Sequence, residues 1–273
     1  MTKLRKSVLL WLGLLPIFAI TLFPFAVMGL TAIRPADEVF AAGWLPTRIQ
    51  WGNFAEMWHA TGFGRALFNS LHVSILATLM SLVIAIPAGY ALSRFRFVGR
   101  TNFRRFLLVT QMLSPIVLVL GLFRILVLFK ALDSINVVAL LYAGFNIAFS
   151  VWMLESYFST IPRDLEEAAW MEGASPWTAL RRVFLPLAMP AITVTALFTF
   201  VNSWNEFVIA LTFLRSEENY TLPIQILSIV SGRYSVEWHL VMAAALCATL
   251  PVAVLFAWMQ RYLLRGLTAG AVK

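Results

Sequence analysis

Six long uncharged stretches dominate this chain: Ser7 to Ile33, Ala66 to Ser93, Phe106 to Phe123, Ser134 to Leu154, Val183 to Asn205 and Trp238 to Gln260. A helix that crosses a hydrocarbon core of roughly 30 Å needs about 20 apolar residues. In lipid the backbone must satisfy its own hydrogen bonds, and these stretches lack the polar-apolar alternation of barrel strands, so helices are the solution. The sequence therefore predicts an all-α membrane protein with six transmembrane helices. Composition agrees: 60% of the residues are hydrophobic and 12% charged, where soluble chains average about 45–50% and about 25%. Too few charges remain to coat a water-soluble globule. The net charge of +8 therefore implies no nucleic-acid partner.

The first stretch follows Lys3, Arg5 and Lys6 in the manner of a secretion signal, but its length exceeds a signal's short apolar region, so an uncleaved span is expected. Lys and Arg concentrate on the cytoplasmic side of membrane proteins. With the N-terminus inside, 14 of the 21 cations fall there: Lys3, Arg5, Lys6, Arg94, Arg96, Arg100, Arg104, Arg105, Arg163, Arg181, Arg182, Arg261, Arg265 and Lys273. Both termini are expected in the cytoplasm. No connecting segment is long enough for a core of its own, so residues 1–273 are expected to form a single transmembrane domain. Pro16, Pro24, Pro87, Pro115, Pro190 and Pro251 lie in or near five of the spans, where each removes a backbone donor and can kink a helix.

Catalytic signatures are missing. The chain has no GxxxxGK[ST] phosphate loop, no HExxH, no GxSxG and no CxxC. Its single cysteine, Cys247, forms no intrachain disulfide, and His59, His72 and His239 lack the spacing of a metal-ligand pair. If the chain moves a solute uphill, the energy must then come from an ion gradient or from a partner that hydrolyses nucleotide.

The connection between the fourth and fifth spans reads STIPRDLEEAAWMEGASPWTALRRVFLP. Pro162 suits a first helical turn, and Asp164, Glu166 and Glu167 suit its positive dipole end. Gly173 is placed to stop that helix in the left-handed conformation. Ser175 then caps a second helix, Pro176 opens it, and Arg181 and Arg182 suit its negative end. Two short helices joined at a glycine corner are predicted. In the first, Leu165, Ala168, Ala169 and Glu172 follow helical spacing, and the paired alanines offer a flat patch for close approach.

Glu167, Ala168, Ala169, Gly173, Val183, Leu185 and Pro186 reproduce EAA-x3-G-x9-I-x-LP with Val for the Ile. This resembles the signature loop of permease subunits of ABC importers. Asn69–Ser70–Leu71 as NSL, Trp204 to Phe207 as WNEF, Thr221 to Pro223 as TLP and the C-terminal GLTAGAVK extend the likeness to the carbohydrate-uptake branch, with maltose-type permeases of the smaller, six-span kind. The resemblance implies a type I importer permease fold in the bacterial cytoplasmic (inner) membrane. It implies a second homologous permease, two ATPase subunits and an extracytoplasmic solute-binding protein as partners, besides membrane lipid. The chain itself would be no enzyme and carry no cofactor, with ATP and Mg held by the ATPases. Residues 159–186 would be the coupling loop: Glu167 in a polar contact with the ATPase, Ala168 and Ala169 at close approach, Gly173 at the corner, and Leu185 and Pro186 anchoring the loop to the fifth span.

A substrate path is suggested by polarity at membrane depth. At 100° per residue Thr195, Thr199, Asn202, Asn205 and Glu206 share a sector of about 120°, and Tyr142, Asn146 and Ser150 form a second stripe on the fourth span. Such groups are costly against lipid. They face a sugar-like solute or hydrogen-bond between helices, and the sequence leaves both open. For Glu206 an ion pair and a solute contact stand equally. Ser70, Ser74, Thr78 and Ser81 are expected at close helix packing. Outside, Tyr220, Arg233 and Tyr234 are candidate contacts for the binding protein, on the likeness of this loop to its maltose-type counterpart; an ordinary solvated loop is the alternative.

Overall fold

The computed structural model describes residues 3–40, 43, 45–231 and 236–271. Among the described residues all regular structure is helical. We number the helices α1 (Lys3–Ala32), α2 (Gly52–Ala60), α3 (Phe63–Arg94), α4 (Arg100–Met112), α5 (Pro115–Leu128), α6 (Ile135–Thr160), α7 (Asp164–Met171), α8 (Pro176–Ala179), α9 (Leu185–Leu187), α10 (Met189–Trp204), α11 (Val208–Phe213), α12 (Leu222–Ser231) and α13 (Trp238–Ala271). At 1.5 Å per residue, α1, α3, α6 and α13 run about 39–51 Å, more than the hydrocarbon core requires.

The other two spans are bent rather than straight. The predicted third span crosses a 93° break between α4 and α5, with Pro115 opening the second piece, and the predicted fifth span begins only at Met189, after a 79° bend. Four long helices and two broken pairs thus account for the six stretches. Local chemistry explains which prolines break a helix. Pro16, Pro24, Pro87 and Pro251 sit inside continuous helices, whereas Pro115 follows Ser114, whose extended backbone (φ −66°, ψ 130°) is the conformation favoured before proline.

The chain forms two compact units, one made of Met1–Arg65 with Gln225–Pro251 and the other of Ala66–Ile224 with Val252–Lys273. In the first, the Asn53 amide closes the end of α1 by donating to the carbonyls of Ala32 (2.8 Å) and Arg34 (2.7 Å), satisfying acceptors that a helix terminus leaves open. The second unit is organised on α6, which packs along α10 and α4. Two apolar clusters bracket its length. Val138, Ala139, Tyr142 and Ala143 pack with Ile209, Phe213 and Leu126, and Val151, Leu154 and Phe158 pack with Tyr90, Leu180 and Phe184. Asn146 and Ser150 fill the interval between them. On α3, Gly89 lets the two helices touch: a Cβ there would lie 3.1 Å from the Glu155 backbone nitrogen and 3.2 Å from the Leu154 Cβ.

Candidate coupling and translocation sites

The loop after α6 folds as two helices about a glycine corner. α7 begins at Asp164, two residues beyond Pro162, and carries Asp164, Glu166 and Glu167 in its first turn. At its other end Gly173 adopts φ +82°. The Gly173 amide donates to Trp170 O (2.9 Å) and the Ala174 amide to Ala169 O (3.0 Å), the paired bonds of a Schellman ending. Ser175 caps α8 through the Thr178 amide (3.2 Å), and Pro176 is its first residue. The helix does not stop at Arg181 and Arg182 as expected. It continues through a π turn, Leu180–Phe184, into α9. Leu180 and Phe184 on that turn, and Ala188 just beyond α9, are buried, while both arginines are exposed.

The alanine-bearing helix shows two faces. Glu167, Ala168 and Gly173 are exposed and Ala169 is half-buried; Leu185 is half-buried and Pro186 exposed. Leu165, Trp170, Met171 and Trp177 also lie open. The opposite face carries a residue that sequence reasoning passed over. Glu166 is 3% exposed. Its carboxylate accepts a 2.6 Å hydrogen bond from the Tyr90 hydroxyl and lies 3.6 Å from Arg94 Nε. Arg94 in turn donates to the carbonyls of Phe158 (2.8 Å) and Ile161 (2.7 Å) at the end of α6 and stacks 4.6 Å over the Phe184 ring. The signal was present in α3, where Tyr90 and Arg94 share one face at i, i+4 just as the apolar run ends. Nearby, Arg104 of α4 pairs with Glu155 of α6.

The two polar stripes meet. The Ser81 hydroxyl of α3 donates to Ser150 Oγ (3.0 Å), and Ser150 and Thr199 share a hydrogen bond of 3.1 Å. Asn146 donates to Tyr142 O (2.8 Å) and reaches Ser203 Oγ (3.4 Å), while Asn202 donates to Asn146 Oδ1 (3.4 Å). Thr199, Tyr142 and Asn146 are buried in this seam, but Asn202 and Asn205 are exposed. Interhelical hydrogen bonds of this kind contribute roughly 0.6–2 kcal/mol each in membranes. Ser70 accepts from the Leu222 amide (2.7 Å), Thr78 donates to Ser74 O within α3 (2.7 Å), and Ser70, Ser74, Thr78 and Ser81 are all buried, as close packing of this face requires.

Glu206 caps a helix break, a role outside the two that the sequence suggests for it. α10 ends at Trp204, α11 starts at Val208, and WNEF occupies the break. There the Glu206 carboxylate accepts from the amides of Ile209 (3.0 and 3.1 Å) and Ala210 (3.3 Å), capping α11, while its own carbonyl accepts from Tyr142 Oη (3.3 Å).

Beyond α11, Asp133 (φ +61°) clamps the connection to α12. Its carboxylate accepts from the amides of Arg215 (2.8 Å) and Ser216 (3.0 Å) and from the Ser216 hydroxyl, and its carbonyl accepts from Asn219 (2.8 Å). Asn69 fastens the same segment through Glu218 O (2.9 Å) and Tyr220 O (3.0 Å). The half-buried Tyr220 donates to Arg215 O (3.3 Å). Arg233 and Tyr234 lie outside the described residues. Burial pushes the Asp133 carboxyl up, but the hydrogen bonds from Ser216, Arg215 and Asn219 outweigh it and hold the group at about 2, below the ordinary 3.8. A depressed carboxyl stabilises the fold fully above its unfolded value, and that contribution is lost as pH falls through the folded one. Wild type should therefore lose thermal stability between about pH 4 and pH 2 more steeply than Asp133→Asn, whose melting temperature starts lower. Parallel melting profiles would exclude this role.

Comparison with known proteins agrees with this architecture. The family described as binding-protein-dependent transport system inner membrane component matches residues 81–269, well over half of the chain. The diacetylchitobiose uptake system permease protein DasC of Streptomyces coelicolor is 33% identical over 98% of this chain and 95% of its own length. The trehalose/maltose transport system permease protein MalG of Thermococcus litoralis is 32% identical over 99% of this chain and 98% of its own. Among solved structures, a chain of a bacterial ABC transporter that imports the acidic polysaccharide alginate superposes with a TM-score of 0.81 at 24% identity, over 96% of this chain and 98% of that one. A helical fold of four long and two broken spans, a capped two-helix loop and relatives aligned nearly end to end make one assignment: the chain belongs to the binding-protein-dependent transport system inner membrane components, the permease subunits of ABC importers.

Proposed function

We propose that this permease forms half of the translocation path of an ATP-driven importer for a sugar or sugar-like solute and receives its power stroke through α7. The observation that carries the reading is the orientation of that helix. Glu167 and Ala168 face outward beside exposed Leu165, Trp170 and Met171, while Glu166 holds the opposite face against the bundle. An acidic and apolar knob with small residues at its centre suits the cleft of an ATPase subunit. Glu167 makes the polar contact, Ala168 and Ala169 permit close approach, Gly173 sets the corner, and Leu185 and Pro186 carry the loop into the fifth span. ATP and Mg belong to two such ATPases, and hydrolysis is theirs.

The relatives named for diacetylchitobiose and for trehalose and maltose support a carbohydrate. Amides and hydroxyls suit its hydroxyl groups. Asn202 and Asn205 present theirs outward, with Glu206 beside them and with Thr199, Tyr142 and Asn146 as the seam behind. The whole chain then acts as one transmembrane permease domain, with a second homologous permease completing the path. Tyr220, Arg233 and Tyr234 are its candidate contacts for a solute-binding protein. The cation distribution supports both termini in the cytoplasm of a bacterial cell, with the chain crossing its inner membrane repeatedly.

Reconstitution tests this directly. Vesicles holding both permeases and the ATPases, supplied with the binding protein and radiolabelled trehalose, maltose or diacetylchitobiose, should accumulate one of the sugars only when ATP is present. Accumulation by this chain alone on a proton or sodium gradient would overturn the reading.

A further inference from the structure

We propose that Glu166 is the positioning residue of the coupling loop: its buried carboxylate, held by Tyr90 and Arg94, fixes the rotation of α7 and fastens that helix to the inner end of α3. The inference rests on α7 being the surface that meets the ATPase, and adds what makes that surface rigid and which span follows it.

α7 is joined by the chain to α6 on one side and to α8 and α10 on the other. α3 has no such connection, since Tyr90 precedes Glu166 by 76 residues. Apolar contact between helices transmits a push, but it resists sliding and rolling poorly, because dispersion has no preferred direction. A hydrogen bond and an ion pair between side chains that are 5% and 3% exposed do resist both, because parting them strands a charge away from water. The carboxylate uses both oxygens: Oε1 takes the Tyr90 hydroxyl at 2.6 Å and Oε2 faces Arg94 Nε at 3.6 Å. Arg94 spends its Nη2 on the carbonyls of Phe158 and Ile161 and lies on the Phe184 ring. One guanidinium therefore ties together the ends of α3 and α6, the start of α7 and the π turn. Gly89 allows α3 and α6 to touch one turn further in. Successive residues on a helix point about 100° apart, so seating Glu166 inward obliges Glu167 and Ala168 to look out. Without that seat α7 is free to roll and offer its partner a different face. The inner end of α3 moves with α7 as one body.

Nitroxide labels read this out in the complete complex, with both permeases and the ATPases in nanodiscs and ATP, Mg and vanadate as the only ligands. Val98→Cys, just beyond α3, and Met171→Cys, at the end of α7, are exposed attachment sites; Cys247→Ala removes the native thiol. The wild-type background should give one narrow label-to-label distance, the same before and after vanadate trapping. Glu166→Ala should widen it at least about twofold and make it depend on trapping, with Tyr90→Phe, which deletes only the hydroxyl, showing a smaller change in the same direction. Should the alanine variant fail to assemble, Tyr90→Phe decides alone. A narrow, unchanged distance in the variants that assemble, or a wild-type distance that shifts on trapping, overturns the inference. Failure of the ATPases to assemble with the wild-type permease would instead overturn the reading on which it rests.

Discussion

Glu206→Ala is expected to cost about 3 kcal/mol of stability, and Glu206→Gln about 1 kcal/mol, in a protein whose polar seam otherwise stays intact. The wild-type carboxylate stands at a gap in the helix and accepts three amide contacts from Ile209 and Ala210. Alanine leaves those amides unpaired beside an apolar cluster containing Ile209, Ala210 and Phe213, where there is little water to replace the lost acceptor. Glutamine retains one carbonyl oxygen in nearly the same place, so most of the capping survives. Thermal unfolding in detergent would separate the two. An ion pair would predict equal damage from both substitutions, because both remove the charge; equal melting temperatures for the variants would therefore refute the capping role.

Gly173→Val should reduce ATP-driven uptake at least about tenfold while leaving membrane insertion and assembly with the ATPases near wild type, and Gly173→Asn should remain close to normal. Space is not the issue, since a Cβ at Gly173 meets nothing within 4 Å. The backbone is. At φ +82° an L residue pays about 1–2 kcal/mol in the left-handed region, and a β-branched one is a steric outlier, whereas asparagine visits it readily. Relief of that strain requires a different corner, which would swing α7 relative to α8 and misdirect Glu167 and Ala168. Uptake by the valine variant at the wild-type rate would show that the corner's geometry is not used in coupling.

Much of this was legible beforehand because it depends on local rules. Long uncharged runs gave the spans, Ser175 and Pro176 gave the start of α8, and the position of Gly173 gave the corner, since capping and left-handed turns are decided within a few residues. What stayed hidden depends on who sits opposite. Thr199 and Asn202 share a stripe in sequence, yet one is sealed against Ser150 and the other lies open, and only the packing of α6 on α10 decides which. Glu206 was conspicuous as an isolated charge, but its role follows from a helix break that a continuous apolar run conceals. Glu166 was overlooked beside Glu167 for a related reason: helical spacing shows that the two point apart, not which one meets Tyr90 and Arg94.

The right-angled elbow between α4 and α5 limits what the surrounding bilayer can touch. α5 is 14 residues long, about 21 Å of helix, too short to traverse the hydrocarbon by itself. Where the two pieces meet, the ladder of backbone bonds is interrupted, and acyl chains offer nothing to replace the missing donors. That corner must be wetted or covered by polypeptide.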